Sequence, residues 1–181
     1  MSTLKVNKII PTAGVPTGGG GGIIQVVQAV KTDTASTSSS TKADISGLTP
    51  TITPTSSSSK VLIIMDVKIG ASSSNADLGL ILNRSVSGGA STEIYIGDAD
   101  GSRRRASHAS EDFFASNGDH QMLSIHCNFL DSPSTTSQIT YSIKWSHIGG
   151  NTIYINRDGD NDTGDKSPRT ASSLTLMEVS A

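Results

Sequence analysis

Residues 60–70 read KVLIIMDVKIG and carry the strongest strand pattern in the chain. The apolar side chains occupy alternate positions: Val61, Ile63, Met65, Val67 and Ile69. A period of two is that of a β-strand with a buried face, and burying each side chain stabilises the fold by roughly 1.5–3 kcal/mol. Leu62 and Ile64 lie between them, which predicts that the first half of the strand is covered on both faces. We therefore expect a central strand here.

The same alternation recurs in short runs along the chain, each bounded by Gly, Asp, Asn, Ser or Pro. The runs lie at 23–30, 78–82, 94–96, 123–129, 139–145, 153–155 and 174–176. Residues 34–41 suit a loop or polar edge, and the Pro-interrupted segment 45–52 suits an edge strand or extended connector. Only residues 105–114 approach helical spacing, and a strand with a loop fits them equally well. Eight or nine short strands predict an all-β fold, an antiparallel β-sandwich of the jelly-roll type.

Two side chains in these runs carry specific expectations. Trp145, the only tryptophan, should be buried together with Ile143 and Tyr141, which alternate with it. Cys127 is the only cysteine, which excludes an internal disulfide. Its position between apolar neighbours predicts a small buried hydrophobe.

Composition limits the class of protein. The chain has 181 residues, enough for one packed domain with a tail. Charged residues make up 17%, below the roughly 25% of typical soluble domains, and the net charge of −2 argues against a nucleic-acid partner. No apolar run is long enough for a membrane span, and no signal peptide is expected. An uncharged, Ser/Thr-rich surface favours packing against identical copies, which predicts a closed homotrimer.

Five consecutive glycines, Gly18–Gly22, divide the chain into two parts. Such a run cannot continue a strand or helix, so it predicts a hinge between an extended N-terminal arm (1–22) and a β-sandwich head (23–181). The arm carries four aliphatic residues before and near its first proline: Leu4, Val6, Ile9 and Ile10. So short a strand needs a partner sheet, which predicts an anchor that docks by strand addition. The alternative is a frayed terminus without a role.

Three polar clusters are candidate sites. Asp158, Asp160, Asn161, Asp162 and Asp165 resemble an oxygen-rich calcium loop, but the positions expected to hold Gly and a bidentate Glu do not match, so a solvated hairpin loop is favoured. Arg103, Arg104 and Arg105 form the only basic cluster, which suits ion pairs within or between subunits, or capture of an anionic host-surface polymer. The four histidines, His108, His120, His126 and His147, lack metal-ligand spacing, and His126 and His147 are expected at exposed or interface positions.

No pattern in the sequence predicts an enzyme or a cofactor. The glycine run lacks the Lys-Ser/Thr of a phosphate loop, and no nucleophile elbow is present. The scattered carboxylates do not define a general acid and base.

Several blocks resemble a known group of proteins. Residues 1–9, MSTLKVNKI, are similar to the start of tail-fibre and other virion proteins of tailed bacteriophages, particularly phages of aquatic bacteria. The body resembles a phage family in five blocks: IYIGDADGSR at 94–103, FLDSP at 129–133, TYSIKW at 140–145, YINR at 154–157 and SSLTLMEV at 172–179. The resemblance implies a homotrimeric virion component, assembled in the host cytoplasm, with its N-terminus fixed to the particle.

The resemblance leaves three functions to weigh. The chain lacks a long shaft repeat, so a short tail or baseplate fibre is favoured, anchored to other virion proteins and presenting its head to a host surface glycan. A capsid decoration protein would use the same parts to bind capsomers. A free carbohydrate-binding module would act as a monomer.

Overall fold

The computed structural model describes residues 22–110, 121–148 and 150–180. These residues form eleven strands, more than the eight or nine predicted, because several are only two to four residues long. The strands are β1 (Ile23–Lys31), β2 (Ala35–Thr37), β3 (Thr51–Ile52), β4 (Lys60–Ala71), β5 (Leu78–Val86), β6 (Ser91–Ile94), β7 (His108–Ser110), β8 (Met122–Asp131), β9 (Ile139–Trp145), β10 (Ile153–Ile155) and β11 (Ser172–Val179). The predicted arm and its anchor residues Leu4, Val6, Ile9 and Ile10 lie outside the described residues.

The strands form two antiparallel sheets. In the first sheet β4 pairs with β8 along one edge and with β11 and then β10 along the other, while β1 lies outside β11 and β2 outside β10. In the second sheet the order is β3-β9-β5, with β6 and β7 sharing the far edge of β5. The chain crosses from sheet to sheet between most successive long strands. The two packed antiparallel sheets confirm the predicted all-β sandwich, and its jelly-roll type stays a prediction.

The core lies between the sheets and confirms the alternation read from residues 60–70. The five alternate side chains of β4, from Val61 to Ile69, are all buried. They face the inward residues of the second sheet, including Leu80, Ile143 and Trp145. Trp145 is only 5% exposed, beside a fully buried Tyr141, as predicted. The central position of β4 is therefore also confirmed.

The outer face of β4 departs from the prediction. Ile64 is 37% exposed and Leu62 is half-buried, so no layer of the described chain covers this face. The register aligns four apolar residues across the sheet, one from each of β1, β11, β4 and β8: Val26, Met177, Leu62 and Leu130. We call these four residues the outer row. The sequence prediction failed because an apolar pair on the second face signals burial without specifying what buries it.

Two segments adopt one of the structures that the sequence left open for them. Residues 35–37 form β2 at an edge of the first sheet, as a polar edge would. Within the described part of the segment 105–114 there is a strand, β7, and no helix. Cys127 faces the core and is half-buried, and burial raises the pKa of its thiol to about 11. None of the described residues belongs to a helix long and apolar enough to cross a membrane.

A buried asparagine ties one end of the sandwich together. Asn156 follows β10 with a left-handed φ of 62° and is fully buried. Its side-chain nitrogen donates to the carbonyls of Lys31 and Asp33, and its side-chain oxygen accepts from Ser172 Oγ at 2.6 Å. Its backbone nitrogen donates to the Lys68 carbonyl. Through its side chain and its backbone, one residue thus joins the end of β1, strand β4 and the start of β11.

A candidate ligand-binding cleft

A cleft of about 660 Å³ opens at one edge of the sandwich. It lies where β6 and the segment after it, residues 95–107, meet β8 of the other sheet. Six residues define its chemistry: Glu93, Ile94, Tyr95, Arg105, Ser107 and Phe129. Its volume falls within the range of about 300–1,000 Å³ that is typical of small-molecule sites.

Two aromatic rings form the apolar part of the cleft. Phe129 lies on the inward face of β8, but β8 is an edge strand, so the ring reaches the open side of the sandwich. Tyr95 packs against it with ring centroids 5.2 Å apart and the planes tilted by 36°. Tyr95 is itself 42% exposed, so one aromatic surface remains accessible. The pair provides a platform on which a flat apolar ligand face can stack.

Tyr95 adopts an unusual backbone conformation. Its φ is 52°, in the left-handed region that costs a non-glycine residue roughly 1–2 kcal/mol. This conformation ends β6 at Ile94, whereas the sequence predicted a strand through Ile96. Such strain persists only where surrounding contacts enforce it, and it is concentrated at functional sites.

Ser107 holds the wall of the cleft in place. It lies between β6 and β7, which both pair with β5 but leave a gap in the ladder. Ser107 fills that gap: its backbone nitrogen donates to the Leu80 carbonyl, its hydroxyl accepts from Leu82 N at 2.8 Å and donates to the Ile94 carbonyl. The cleft is therefore built on strand β5 and is preformed.

The arginine cluster separates into three environments. Arg104 is directed inward, where it pairs with the buried carboxylate of Asp77 and donates to the Ser146 carbonyl. Arg103 is exposed and pairs with Asp100 at 2.7 Å. Arg105 is exposed, lines the cleft and donates through Nε to the Gly97 carbonyl at 2.6 Å. Ion pairing within the chain therefore accounts for two of the three arginines.

Glu93 and Lys42 close the polar side of the cleft. Lys42 Nζ lies 2.7 Å from one carboxylate oxygen of Glu93 and 3.0 Å from the other. This pair connects β6 to the segment that leads toward β3. The Glu93 charge is balanced before any ligand arrives.

The histidines divide between surface and interior. His126 is exposed, as predicted, and lies 3.2 Å from Asp66. His147 contradicts the prediction: it follows β9, is 3% exposed, and its two ring nitrogens contact the carbonyls of Asp77 and Asn151. Burial lowers the pKa of His108, and His120 lies outside the described residues.

The acidic loop is more ordered than a solvated hairpin. Asp158 is fully buried and its Oδ1 accepts from the backbone nitrogen of Asn161 at 3.1 Å. Asp162 accepts from the backbone of Gly164, while Asp160 and Asp165 are exposed. Within residues 22–110, 121–148 and 150–180, no three His, Cys, Asp or Glu side chains are arranged to hold a metal ion.

Sequence reasoning found one cleft residue, Arg105, but not the aromatic platform. Tyr95 follows β6 of the second sheet and Phe129 lies in β8 of the first sheet, and the alternation in each run predicts only a strand. The DADG turn at 98–101 was the one available signal, because it marks a loop that returns the chain to the same sheet edge. No protein-family model matches this chain, and no curated protein matches it.

Proposed function

We propose that this chain is a structural component of a bacteriophage virion, a short tail or baseplate fibre whose jelly-roll head binds a surface saccharide of the host. The virion assignment rests on the resemblance of the blocks described above. The observation that carries the binding role is the accessible aromatic platform of Tyr95 on Phe129, set in an open, preformed cleft. Sugars bind proteins by stacking their apolar ring face on such platforms while polar groups at the rim fix their orientation.

The exposed outer row supports the homotrimer that this role requires. Val26 is 56% exposed and Leu130 is 46% exposed, and both belong to one continuous apolar band across a four-strand face. Exposed apolar bands of this kind mark surfaces that contact other proteins. Three heads joined in this way present three clefts, which raises avidity for a repeating polysaccharide.

Glycan binding is tested with the full chain on an array of bacterial surface saccharides. Tyr95→Asn removes the ring while keeping a residue that tolerates a positive φ, so the fold should survive. Tyr95→Phe is the matched control, because it keeps the ring. We expect wild type and Tyr95→Phe to bind and Tyr95→Asn to lose at least about tenfold in affinity. Stacking of a nucleic-acid base on one aromatic ring contributes on the order of 1–3 kcal/mol, and a stacked sugar face makes the same type of contact.

Equal affinity of Tyr95→Asn and wild type for the saccharide would show that the aromatic platform does not bind it. The absence of binding to every saccharide would remove the glycan role altogether.

Capsid decoration is the second candidate, and the outer row favours it too, because an apolar face also suits docking on a capsid shell. Gold labelling of intact particles separates the two roles. Label confined to the tail would support the fibre role. Label confined to the capsid would contradict the fibre role and support capsid decoration.

The N-terminal anchor is tested on particles. Leu4→Asp with Val6→Asp places charges where an added strand would bury its side chains, so incorporation into particles should be lost while expression is kept. Normal copy number in such particles would mean that the anchoring surface lies on the head.

A further inference from the structure

The charges around the cleft do not balance. Glu93 is neutralised by Lys42, which contacts both of its carboxylate oxygens. Arg105 is the other charged residue that lines the cleft. Its Nε donates to the Gly97 carbonyl, and no carboxylate of the described chain pairs with it. Among residues 22–110, 121–148 and 150–180, the cleft therefore carries one positive charge without a carboxylate partner.

The two preceding arginines differ from Arg105 in this respect. Arg103 and Arg104 each have a carboxylate partner, Asp100 and Asp77 respectively. Arg105 instead uses its inner nitrogen to bind a backbone carbonyl, which orients the guanidinium plane and leaves both terminal nitrogens for another acceptor. Two parallel N–H donors match the two oxygens of a carboxylate or the oxygens of a sulfate.

The neighbouring platform adds the second element of recognition. Tyr95 and Arg105 line the same cleft, so a stacked ring and a bound anion can belong to one ligand. A neutral sugar would use the platform and leave the guanidinium without an acceptor. A sugar with an acidic substituent would satisfy both.

Resting on the proposed glycan-binding role, we propose that the cleft selects acidic saccharides, with the carboxylate or sulfate group bound by Arg105 while the sugar ring stacks on Tyr95. The selectivity arises from a guanidinium that no carboxylate of the described residues pairs with and that lies beside an aromatic face. The ligand class is thus the uronate or sulfated units of an anionic surface polysaccharide.

The test compares three probes on the full chain by titration calorimetry: an oligogalacturonate, dextran sulfate, and neutral dextran of similar length. The variants are Arg105→Gln, which removes the charge and keeps a polar side chain, Arg105→Lys, which keeps the charge without the planar guanidinium, and Arg103→Gln as the matched control. Arg103 is two residues away and equally a surface arginine, so its loss changes net charge by the same amount.

We expect wild type to bind at least one acidic probe at least about tenfold more tightly than dextran, a difference of the size that charge-assisted hydrogen bonds provide. Arg105→Gln should remove that preference, Arg105→Lys should restore part of it, and Arg103→Gln should leave it unchanged. Preference for the oligogalacturonate supports a uronate ligand, and preference for dextran sulfate supports a sulfated one. Melting temperatures of the variants should match wild type, because Arg105 is exposed.

Two results overturn the inference. One is equal affinity for acidic and neutral probes. The other is an equal loss in Arg103→Gln and Arg105→Gln, which would show a general charge effect instead of a site. Neutral binding that Tyr95→Asn abolishes would leave the glycan role standing in either case, so the two proposals fail separately.

Discussion

Glu178 is a charged residue on a strand face that otherwise buries the apolar side chains of Leu174 and Leu176. It is fully buried on the inward face of β11. Burial is the largest single influence and raises the pKa of this carboxyl, but the hydrogen bonds together outweigh it. They come from Gln25 at 2.6 Å, from the backbone and hydroxyl of Thr55 at 2.7 Å, and from Ser59. The pKa of this carboxyl is therefore held below its ordinary value of 4.5.

The direction of this shift predicts how stability depends on pH. A carboxyl with a lowered folded-state pKa stabilises the fold above its unfolded pKa, and that contribution is lost as the pH falls through the folded value. We expect Glu178→Gln to be less stable than wild type at neutral pH and the difference to shrink between about pH 5 and pH 3. Urea unfolding at a series of pH values measures this. A difference that stays constant across the series would show that the charge contributes nothing.

Trp145 makes a second prediction at the scale of one residue. It is packed beside Ile143 and Tyr141 in the core, so Trp145→Ala should lower the free energy of unfolding by about 3–5 kcal/mol, as other large aromatic truncations do. The wild-type emission should be blue-shifted, because the indole is screened from water. Emission like that of free indole in water would contradict the burial of this ring.

Individual core residues were predictable where alternation was complete, as for the inward side of β4 and for Trp145. The buried polar residues were not. Glu178, Asn156 and His147 look like surface residues in sequence, and they are buried because partners distant in sequence satisfy them: Asn156, for instance, binds carbonyls more than a hundred residues away. The two-residue period of apolar side chains in a strand gives no information about such partners.

At the scale of elements, a network of three polar side chains, Asp131, Arg84 and Tyr141, joins the two sheets, and we call this network the strut. Asp131, the last residue of β8, receives two contacts from Arg84 Nη1 on β5, at 2.8 and 2.9 Å, and one from the Tyr141 hydroxyl on β9, at 2.6 Å. Burial and the neighbouring Asp131 carboxylate both raise the pKa of Tyr141, so the phenol stays protonated and remains a donor. The strut fixes the end of an edge strand onto the opposite sheet.

Removing either donor, Arg84 or Tyr141, should lower the free energy of unfolding, and the two losses should differ in size. Tyr141→Phe leaves the Arg84 pair intact and should cost about 1.5–3 kcal/mol, the contribution of a hydrogen bond to a charged group. Arg84→Met leaves a buried carboxylate without its cation and should cost about 3–5 kcal/mol. Chemical denaturation of both variants and of the double mutant measures the coupling. Additive losses would mean that the three groups do not act together.

Strand positions were predicted well and their ends poorly. The run at 94–96 was expected to be one strand, but Tyr95 leaves the β conformation to cover Phe129, so β6 ends before it. The cleft forms from this exception to the pattern. A rule based on alternation cannot predict a site that begins where the alternation stops.

At the scale of the whole molecule, the antiparallel β-sandwich was predictable because many short strands separated by turns leave few other architectures. The uncovered outer face was not, because alternation along one strand does not show whether another layer of the chain covers that face. The outer row, Val26, Met177, Leu62 and Leu130, is accordingly the place where the proposed trimer is most directly tested.

Charges placed on the outer row should separate the subunits. Val26→Lys with Leu130→Lys alters two exposed side chains, so the head should still fold, while the apolar contact between copies should be lost. Ile148→Lys is the control, because Ile148 is 62% exposed and lies off this face. Light scattering should give about three chains for wild type and Ile148→Lys and one for the double variant. A wild-type monomer at micromolar concentration, or an unaltered trimer in the double variant, would contradict the assignment.

The first and last strands of the head lie side by side. β1 pairs with β11 along its length, and Gly22 and Ser180 exchange hydrogen bonds at the point where the pairing ends. The polypeptide thus enters and leaves the head at one place. A domain with this geometry can be spliced into a surface loop of an unrelated protein without forcing the two cut ends apart. Tension transmitted along such a composite chain would act first on the hydrogen bonds between Gly22 and Ser180, and it would open the pairing of β1 with β11 from this end, one residue pair after another.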